Sequence, residues 1–317
     1  MTTTLVADIG GTNTRLAVSG PDGRPHRMEL FANRTVAGLD DAIGRYLATI
    51  PERPEAAVLA MAAPVRGRKI ALTNRSQWVI DLDRLEARFG FRWACAVNDF
   101  EALAWALPEF GPGDLRPLGD RLPSRDGPVA VLGPGTGLGV AALVPEEDGG
   151  WTAVASEAGH IAFGPAEPDE WPVFERLAAQ LGRVSAERVI SGIGLARLHA
   201  ALHLDAPALD APAVDAAAEA GDPAARATVA LFVRLLGRFA GDVALAFRST
   251  GGVFVGGGVA QKLGELIDAG AFRTAFEAHP PMERMLAAIP TALVTYPEPG
   301  LLGCAAYAAH LARRRPA

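Results

Sequence analysis

A unit made of a strand, a glycine–threonine turn and a second strand occurs twice in this chain. Residues 7–18, ADIGGTNTRLAV, place a polar turn between two apolar segments. Residues 129–144, VAVLGPGTGLGVAALV, repeat that plan around the turn GPGTGLG at 133–139. A tight hairpin needs only one or two special turn residues, so both turns carry more glycine and hydroxyl groups than chain reversal requires. The repeat favours a chain with two similar α/β halves, although each turn can also be read as an ordinary hairpin.

The two turns share a Gly-Thr centre, Gly11-Thr12 and Gly135-Thr136. Glycine lets a ligand approach the backbone closely, and successive N–H groups form an anion-binding concavity. A hydroxyl group adds one more donor to phosphate. Two such hairpins facing each other would hold the phosphates of a nucleotide from both sides, although neither turn fits the Gly-Lys-Ser/Thr or Gly-x-Gly-x-x-Gly patterns.

A carboxylate precedes the first turn. Asp8 ends its strand, whereas Leu132 occupies the matching place before the second turn. A single carboxylate beside phosphates suits Mg²⁺, which binds one or two carboxylates and keeps several waters. The sequence therefore predicts one magnesium-binding carboxylate, Asp8.

Composition limits the other possible classes of protein. The 317 residues are 50% hydrophobic with a net charge of −6, and no Lys/Arg run precedes RRR at 313–315. This predicts about two domains with sizeable cores and argues against binding to nucleic acid. Neither a signal-peptide pattern nor an 18-residue apolar run occurs, so we expect no membrane association. Cys95 and Cys304 lack metal-site spacing and predict reduced thiols in a cytoplasmic protein.

Apolar runs and cap residues outline further elements. Buried strands are predicted at 56–62 and 93–97, and helices at 81–90 and 99–107. A long helix should follow Asp222-Pro223, a strand should enter the glycines of 251–259, and a last helix should cover 300–314. The alanine-rich stretch 205–225 is interpreted as a loop.

Several motifs together resemble a known family. DIGGTNTR, GPGTGLG and GGVFVGGGV look like the phosphate-1, phosphate-2 and adenosine motifs of the sugar kinase, actin and heat-shock chaperone ATPase superfamily. VNDFEALAWALP, SEAGHIAFGP, SAERVISGIGLARLH and PGLLGCAAYA resemble bacterial ATP-dependent glucokinases. Sugar kinases of the ROK family carry a cysteine-rich zinc motif around their sugar-binding histidine. Here IAFGPAEPDEW follows His160 without a cysteine, so the chain resembles the non-ROK group and no zinc is expected.

The resemblance assigns the sugar site. It implies that Asn98 and Asp99 bind sugar hydroxyls and that Asp99 is the general base for the 6-hydroxyl. From local sequence alone, Asp99 would instead be a helix cap. A carboxylate at this place is chemically sound, since phosphoryl transfer needs an oriented hydroxyl, a proton acceptor and clamped phosphates.

Three more residues gain a role through the resemblance. Glu157 and His160 are three residues apart, which is also metal-ligand spacing, and a loop salt bridge is a further alternative. The resemblance instead has both residues bonded to adjacent hexose hydroxyls, with Glu187 towards the anomeric end. Asn74, in LTNRSQW, matches a similar family segment and is a further candidate, although an Asn there is commonly structural. SEAGH replaces a more usual GEGGH-like run, which leaves the fine sugar selectivity open.

Taken together, the resemblance implies a two-domain actin-like ATPase (ribonuclease H-like) α/β fold with an inter-domain cleft. The smaller domain is expected at 1–108 plus 300–317 and the larger at 109–299. The implied reaction transfers the γ-phosphoryl group of ATP to the 6-hydroxyl of D-glucose, at the entry to glycolysis. A kinase for another hexose or hexosamine, and a non-enzymatic sugar sensor, are the alternatives, and a homodimer is possible. ATP with Mg²⁺ is expected on three sets of residues: Gly10, Gly11, Thr12 and Asn13; Gly135, Thr136 and Gly137; and Gly256, Gly257 and Gly258.

Overall fold

The computed structural model describes residues 3–20, 22–72 and 75–314. The strands are β1 (Thr4–Ile9), β2 (Asn13–Ser19), β3 (Pro25–Ala32), β4 (Ala56–Met61), β5 (Lys69–Leu72), β6 (Arg75–Asp81), β7 (Trp93–Asn98), β8 (Leu115–Pro117), β9 (Val129–Pro134), β10 (Leu138–Pro145), β11 (Trp151–Ser156), β12 (Gly252–Val255) and β13 (Thr291–Val294). The helices are α1 (Leu39–Thr49), α2 (Leu82–Phe89), α3 (Asp99–Ala106), α4 (Trp171–Leu181), α5 (Ala186–Val189), α6 (Gly192–Leu202), α7 (Ala211–Glu219), α8 (Pro223–Phe247), α9 (Gly258–Leu263), α10 (Ala269–Glu277), α11 (Glu283–Ala287) and α12 (Pro299–Arg314).

The described chain divides into two compact units. The first contains the residues up to Phe110, the segment Glu146–Ala153 and the chain from Tyr296 onward. The second contains Gly111–Pro145 and Val154–Thr295. No helix within the described ranges is both long and apolar enough to cross a membrane.

The first unit is built on a five-stranded sheet of order β3-β2-β1-β4-β7. The β1–β2 and β2–β3 pairs are antiparallel, whereas β4 is parallel to both β1 and β7. Side chains of a strand alternate between the faces, and β1 is apolar on both: Leu5 packs in one core cluster and Val6 in another. Helices cover both faces, which explains why β1 and β4 read as continuous apolar runs.

Helices α3 and α12 pack closely in the first unit because of a glycine. A Cβ at Gly303 of α12 would overlap the carbonyl oxygen of Ala102 in α3. Glycine therefore allows the two backbones to approach more closely than any other residue would. This contact matters for the site, because Asp99 begins α3.

The second unit repeats the plan of the first with a six-stranded sheet of order β11-β10-β9-β12-β13-β8. An antiparallel hairpin, β9–β10, is followed by β12 and β13, which run parallel to β9. Its core is centred on the long helix α8, whose apolar face includes Phe232 and Leu236. The repeated glycine turn thus marks a repeated sheet.

One sequence interpretation is wrong. The stretch 205–225 was expected to be a loop, but it contains the helix α7 (Ala211–Glu219). The Asp210 carboxylate accepts a hydrogen bond from the Ala213 N–H at 3.0 Å, and Pro212 stands in the first turn. Alanine is the strongest helix former, so the composition that suggested a loop in fact stabilises a capped helix.

Candidate active site

In the first unit, Asp8 and Asn98 lie at the same end of the sheet, where the parallel strands β1, β4 and β7 finish. Asp8 is near the end of β1, and Asn98 is the last residue of β7. The parallel strand β4 lies between them, with Ala60 paired to Asp8 and Met61 paired to Asn98. The carboxyl ends of parallel strands are where open α/β sheets bind ligands.

Asn98, and not Asp99, is the N-cap of α3. The Asn98 Oδ1 accepts hydrogen bonds from the N–H groups of Phe100, at 2.9 Å, and Glu101, at 3.3 Å. Asp99 is the first residue of α3, and its Oδ1 accepts from the Phe100 N–H at 3.0 Å. The positive end of the helix dipole favours an ionised carboxylate at this position. The capping role considered for Asp99 therefore belongs to its neighbour.

The Asp8 carboxylate is half-buried beside an arginine. Arg15, directly opposite on β2, brings its Nη1 to 3.9 Å from Asp8 Oδ2, while its Nε lies 2.7 Å from Glu298 Oε2. Burial raises the pKa of Asp8 to about 6; Arg15 lowers it, and the charges of Asp99 and Glu298 raise it. A cation bound here would favour the ionised form, and the Asp8 carboxylate, beside the expected phosphate turn, is a hard oxygen ligand of the kind that Mg²⁺ prefers. Arg15 and Glu298 were not singled out from the sequence.

The first glycine turn is held from one side by Asn33, a buried residue. The Asn33 Nδ2 donates to the carbonyl oxygens of Gly10, at 2.8 Å, and Gly11, at 3.2 Å. The backbone N–H of Asn33 donates to the carbonyl oxygen of Thr12 at 2.8 Å. In a planar trans peptide the N–H points opposite to the carbonyl. The N–H groups of Gly11 and Thr12 therefore point away from Asn33, which is the arrangement an anion-binding turn needs.

The second glycine turn opens on a cavity of about 210 Å³. Thr136 lies exposed between Gly135 and Gly137, whose N–H and carbonyl groups close the turn at 2.8 Å. A Cβ at Gly135 would meet no protein atom within 4 Å, so packing does not explain the glycine there, and its backbone is open to the close approach of a ligand. The cavity is lined by Thr136, Glu187, Arg188, Ser191, Ile193 and Arg197.

The third glycine turn lies against the second. The Gly256 N–H donates to the carbonyl oxygen of Leu132 at 2.8 Å. A Cβ at Gly257 would stand 2.6 Å from the carbonyl oxygen of Pro134. The expected adenosine turn, Gly256–Gly258, is therefore built onto the strand that leads into the expected phosphate turn.

The second unit brings three expected sugar ligands together around His160. The His160 Nε2 lies 3.8 Å from Glu157 Oε2, and its Nδ1 lies 3.8 Å from Glu187 Oε1. The Glu187 Oε2 accepts a hydrogen bond from the Leu138 N–H at 3.0 Å, and a side chain at Gly137 would collide with this carboxylate. Glu187 thus links the three expected sugar ligands to the expected phosphate turn.

Two alternatives for this cluster can be compared with its geometry. Glu157 and His160 do stand at ion-pair distance, as a loop salt bridge requires. Among the residues that the structure describes, no group of three or more His, Cys, Asp or Glu side chains could hold a metal ion. Asn74 lies outside the described residues.

Comparison with known proteins identifies the family. The profile described as Glucokinase matches residues 5–311. The chain is 39% identical to a glucokinase from Paramagnetospirillum magneticum over 308 residues, which are 95% of this chain and 96% of that one. It is also 39% identical to a glucokinase from Caulobacter sp. (strain K31), over 95% of this chain and 93% of that one.

This chain belongs to the glucokinase family. Membership confirms the resemblance seen in the sequence and the predicted activity, that of a kinase that transfers a phosphoryl group from ATP to glucose. The family implies ATP as a substrate and, typically, a divalent metal. A sensor protein without enzymatic activity, one of the alternatives, is not supported.

Solved structures confirm the fold. Glucokinase from an Antarctic psychrotroph superposes with a TM-score of 0.89 at 30% identity, over 98% of this chain and 99% of that one. A ROK-family glucokinase from Streptomyces griseus, in complex with glucose and AMPPNP, superposes with a TM-score of 0.66 at 25% identity, over 99% of this chain and all of that one. The predicted actin-like ATPase fold of sugar kinases is therefore confirmed.

In this glucokinase-family chain, the sequence did not reveal the residues that contact the candidate site from distant positions in the chain. Asn33 is 23 residues from Gly10, and Glu298 pairs with Arg15 across most of the chain. Only Arg15 had a local signal, since it lies opposite Asp8 in the predicted hairpin. Arg188 follows Glu187 in α5, and Arg197 lies in the middle of α6; both line the cavity at Thr136, and the sequence assigned a role only to Glu187 in this part of the chain.

Proposed function

We propose that this chain phosphorylates the 6-hydroxyl of D-glucose with Asp99 as the general base and Asn98 as a sugar ligand. One observation carries the proposal: Asp8 and Asn98 lie at the carboxyl ends of parallel strands in one sheet, and Asp99 follows Asn98 as the first residue of α3. A metal-binding carboxylate and a proton acceptor at one end of a sheet are what phosphoryl transfer to a hydroxyl requires.

In this mechanism the sugar oxygen forms a bond to the γ-phosphorus while the bond from that phosphorus to the β-γ bridging oxygen breaks. The proton of the 6-hydroxyl moves to the Asp99 carboxylate, and ADP leaves with the electron pair. Because the transition state is loose, the proton can move late, and a carboxylate is basic enough to accept it. The positive end of the α3 dipole favours the ionised carboxylate, which is the form of Asp99 that can accept a proton.

Phosphate-binding donors are assigned to each glycine turn separately. The outward N–H groups of Gly11 and Thr12 and the hydroxyl of Thr136 are the donors, with Gly10, Asn13, Gly135 and Gly137 shaping the turns. Adenosine is assigned to Gly256–Gly258, which rest on the second turn. Asp8 would hold Mg²⁺, which supplies charge neutralisation for the phosphates when bound.

Arg188 and Arg197 are proposed as further phosphate ligands. Both line the cavity at Thr136, and neither forms an ion pair with any residue that the structure describes. The Arg197 Nη1 donates to the carbonyl oxygen of Arg188 at 3.4 Å, which steadies its side chain. Two guanidinium groups with no carboxylate partner beside a phosphate-binding hydroxyl suit an anionic substrate.

Glucose is proposed to bind Glu157, His160 and Glu187 through hydrogen bonds to its hydroxyls. Their grouping at 3.8 Å within the second unit supports this. The choice of glucose as the sugar agrees with the Streptomyces griseus ROK-family glucokinase, whose structure is a complex with glucose and AMPPNP. Asn74 stays a predicted sugar ligand, and a homodimer and a cytoplasmic location stay predictions of the sequence. A coupled kinase assay across a panel of hexoses and hexosamines with ATP separates glucose from the alternative substrates.

Asp99→Asn tests the base directly. The amide keeps the shape of the site, so we expect kcat to fall by about 10²–10⁴-fold while glucose binding changes little. Asp81→Asn is the control, because Asp81 also lies at a strand-to-helix junction of the same unit, where it ends β6 and caps α2. An Asp99→Asn variant that keeps more than about half of the wild-type kcat would exclude Asp99 as the base.

A further inference from the structure

The second unit contains a carboxylate that is entirely buried, that of Glu170. Its Oε2 accepts hydrogen bonds from Arg238 Nη1 at 2.7 Å and from the Ala166 N–H at 2.8 Å. Its Oε1 lies 3.0 Å from Arg234 Nε. A charge taken this far from water needs charged partners, and α8 supplies two: Arg238, through a hydrogen bond, and Arg234, through an ion pair that lacks hydrogen-bond geometry. The position of Glu170 is therefore fixed chiefly by Arg238.

Arg238 fixes a second part of the same segment. Its Nη2 donates to the carbonyl oxygen of Gly164 at 2.7 Å, and its guanidinium carbon lies 4.7 Å from the centre of the Phe163 ring. The Phe163 ring also packs edge-on against Phe239, the next residue of α8, at 5.8 Å. The segment 161–170 is therefore attached to α8 near both of its ends.

The same segment pairs with the chain just before Glu187. The Ala186 N–H donates to the Ile161 carbonyl oxygen at 3.0 Å, and the Phe163 N–H donates to the Val184 carbonyl oxygen at 3.1 Å. His160 immediately precedes this pairing in the first segment, and Glu187 immediately follows it in the second. A shift of the segment 161–170 on α8 would thus move two expected sugar ligands together.

Few side-chain contacts hold His160 and its neighbour: the His160 side chain is 61% exposed, and Ile161 is 56% exposed. The backbone before His160 is held by the buried residues Ala158 and Gly159, because a Cβ at Gly159 would overlap the carbonyl oxygen of Leu138. The backbone after His160 is held by the segment 161–170, which Arg238 and Glu170 attach to α8.

We propose that Arg238 and Glu170 are positioning residues for the sugar site, which set His160 and Glu187 by fixing the segment 161–170 on α8. This inference rests on the proposed function, in which those two residues bind glucose. Neither Arg238 nor Glu170 touches the sugar in this account. A misplacement of about 1 Å in a binding group can cost up to about a hundredfold in rate, so the effect should be measurable.

Arg273 provides a matched control. It lies in the same unit, is 15% exposed against 12% for Arg238, and forms an ion pair with Glu277. It also stacks at 4.7 Å over Phe276 and donates to the Ile289 carbonyl oxygen at 2.8 Å. Arg238→Met and Arg273→Met therefore remove the same kinds of interaction, although Glu277 is 37% exposed and Glu170 is entirely buried. Only Arg238 borders the segment after His160.

The test compares steady-state kinetics of the two variants below their unfolding temperatures. Arg238→Met should raise the KM for glucose about tenfold or more and leave the KM for ATP within about twofold. It should also reduce the rise in unfolding temperature that glucose produces in the wild type, a readout that does not depend on turnover. Arg273→Met should leave both KM values within about twofold, even where its unfolding temperature falls as much.

Arg238→Lys covers the case in which the Met variant does not fold. Lysine keeps the charge but cannot bond Glu170 and Gly164 together, so the KM for glucose should still rise about threefold or more. An unchanged KM for glucose in a folded Arg238 variant, or an equal rise in Arg273→Met, would overturn the inference. His160→Ala distinguishes a failure of this inference from a failure of the proposed function. If His160→Ala leaves glucose binding unchanged, the proposed sugar site itself is wrong.

Discussion

Asn33 should contribute both to stability and to ATP binding, and Asn33→Ala separates the two effects. The change removes the donor to Gly10 and Gly11 and the acceptor of the Thr14 hydroxyl, which donates to Asn33 Oδ1 at 2.8 Å. Thr14 is fully buried, so its orphaned hydroxyl should cost about 1–3 kcal/mol. Water can reach the exposed Gly11 more easily, so the two carbonyl bonds should add about 1 kcal/mol between them.

The expected loss is therefore about 2–4 kcal/mol in the free energy of unfolding, measured from urea denaturation curves. Thr14→Val removes only the hydroxyl bond, and the double variant closes a thermodynamic cycle that isolates the part due to the turn. Asn33→Asp keeps the acceptor for Thr14 but turns a carboxylate oxygen towards two carbonyl oxygens. It should therefore disturb the turn at least as much as alanine does.

The functional consequence follows from the direction of the N–H groups. Without Asn33 the carbonyls of Gly10 and Gly11 are free to rotate, and the phosphate donors lose their orientation. We expect the KM for ATP to rise about tenfold in Asn33→Ala, with glucose binding to the free enzyme unchanged. A destabilised variant whose KM for ATP stays within about twofold would show that Asn33 supports only the hairpin. A loss of stability below about 1 kcal/mol would refute the burial argument itself.

Three further predictions concern single positions. Thr136→Val keeps the shape of the second turn but removes its hydroxyl, so the KM for ATP should rise while glucose binding is unchanged; an unaltered ATP dependence would make the turn an ordinary hairpin. Gly303→Ala should lower the free energy of unfolding by about 1–3 kcal/mol or more through overlap with Ala102, whereas Gly44→Ala, which meets only Phe89 at 3.8 Å, should be neutral or stabilising in the same denaturation assay. Burial, assisted by the Asp8 charge, raises the pKa of Cys304 well above its usual range, so iodoacetamide at about pH 8 should leave Cys304 unmodified in the folded protein and modify it after denaturation; rapid native labelling of Cys304, read by peptide mass spectrometry, would contradict this.

The features that the sequence predicted are those set by local chemistry. The hairpins around both glycine turns, the helix ending at Gly90 and the helix after Asp222 depend on residues within a few positions of one another. Gly90 adopts a φ of 73°, and Asp222 accepts a hydrogen bond from the Ala225 N–H at 2.8 Å. Cap residues of this kind interact with residues a few positions away, so the sequence alone predicts them.

The features that the sequence concealed depend on pairing across long separations. Glu170 in PDEW has the composition of an exposed helix start, yet it is buried because Arg238, 68 residues later, reaches it. Asn33 in FANRT resembles a loop residue until β3 brings it under the first turn. Neither position carries a local pattern that distinguishes it from a solvated polar residue.

The contrast between locally determined motifs and distant supporting contacts affects how such an enzyme can lose activity. The expected ligand-binding groups lie at strand ends and turns, where motifs point to them, but their orientation depends on polar contacts that no motif includes. Asn33→Ala and Arg238→Met leave every glycine turn and every expected sugar ligand intact, and yet each should raise one KM and not the other. Selective loss, with ATP affected by the first variant and glucose by the second, would show that each half of the substrate-binding machinery has its own support. A variant that weakens both substrates equally would instead indicate general destabilisation.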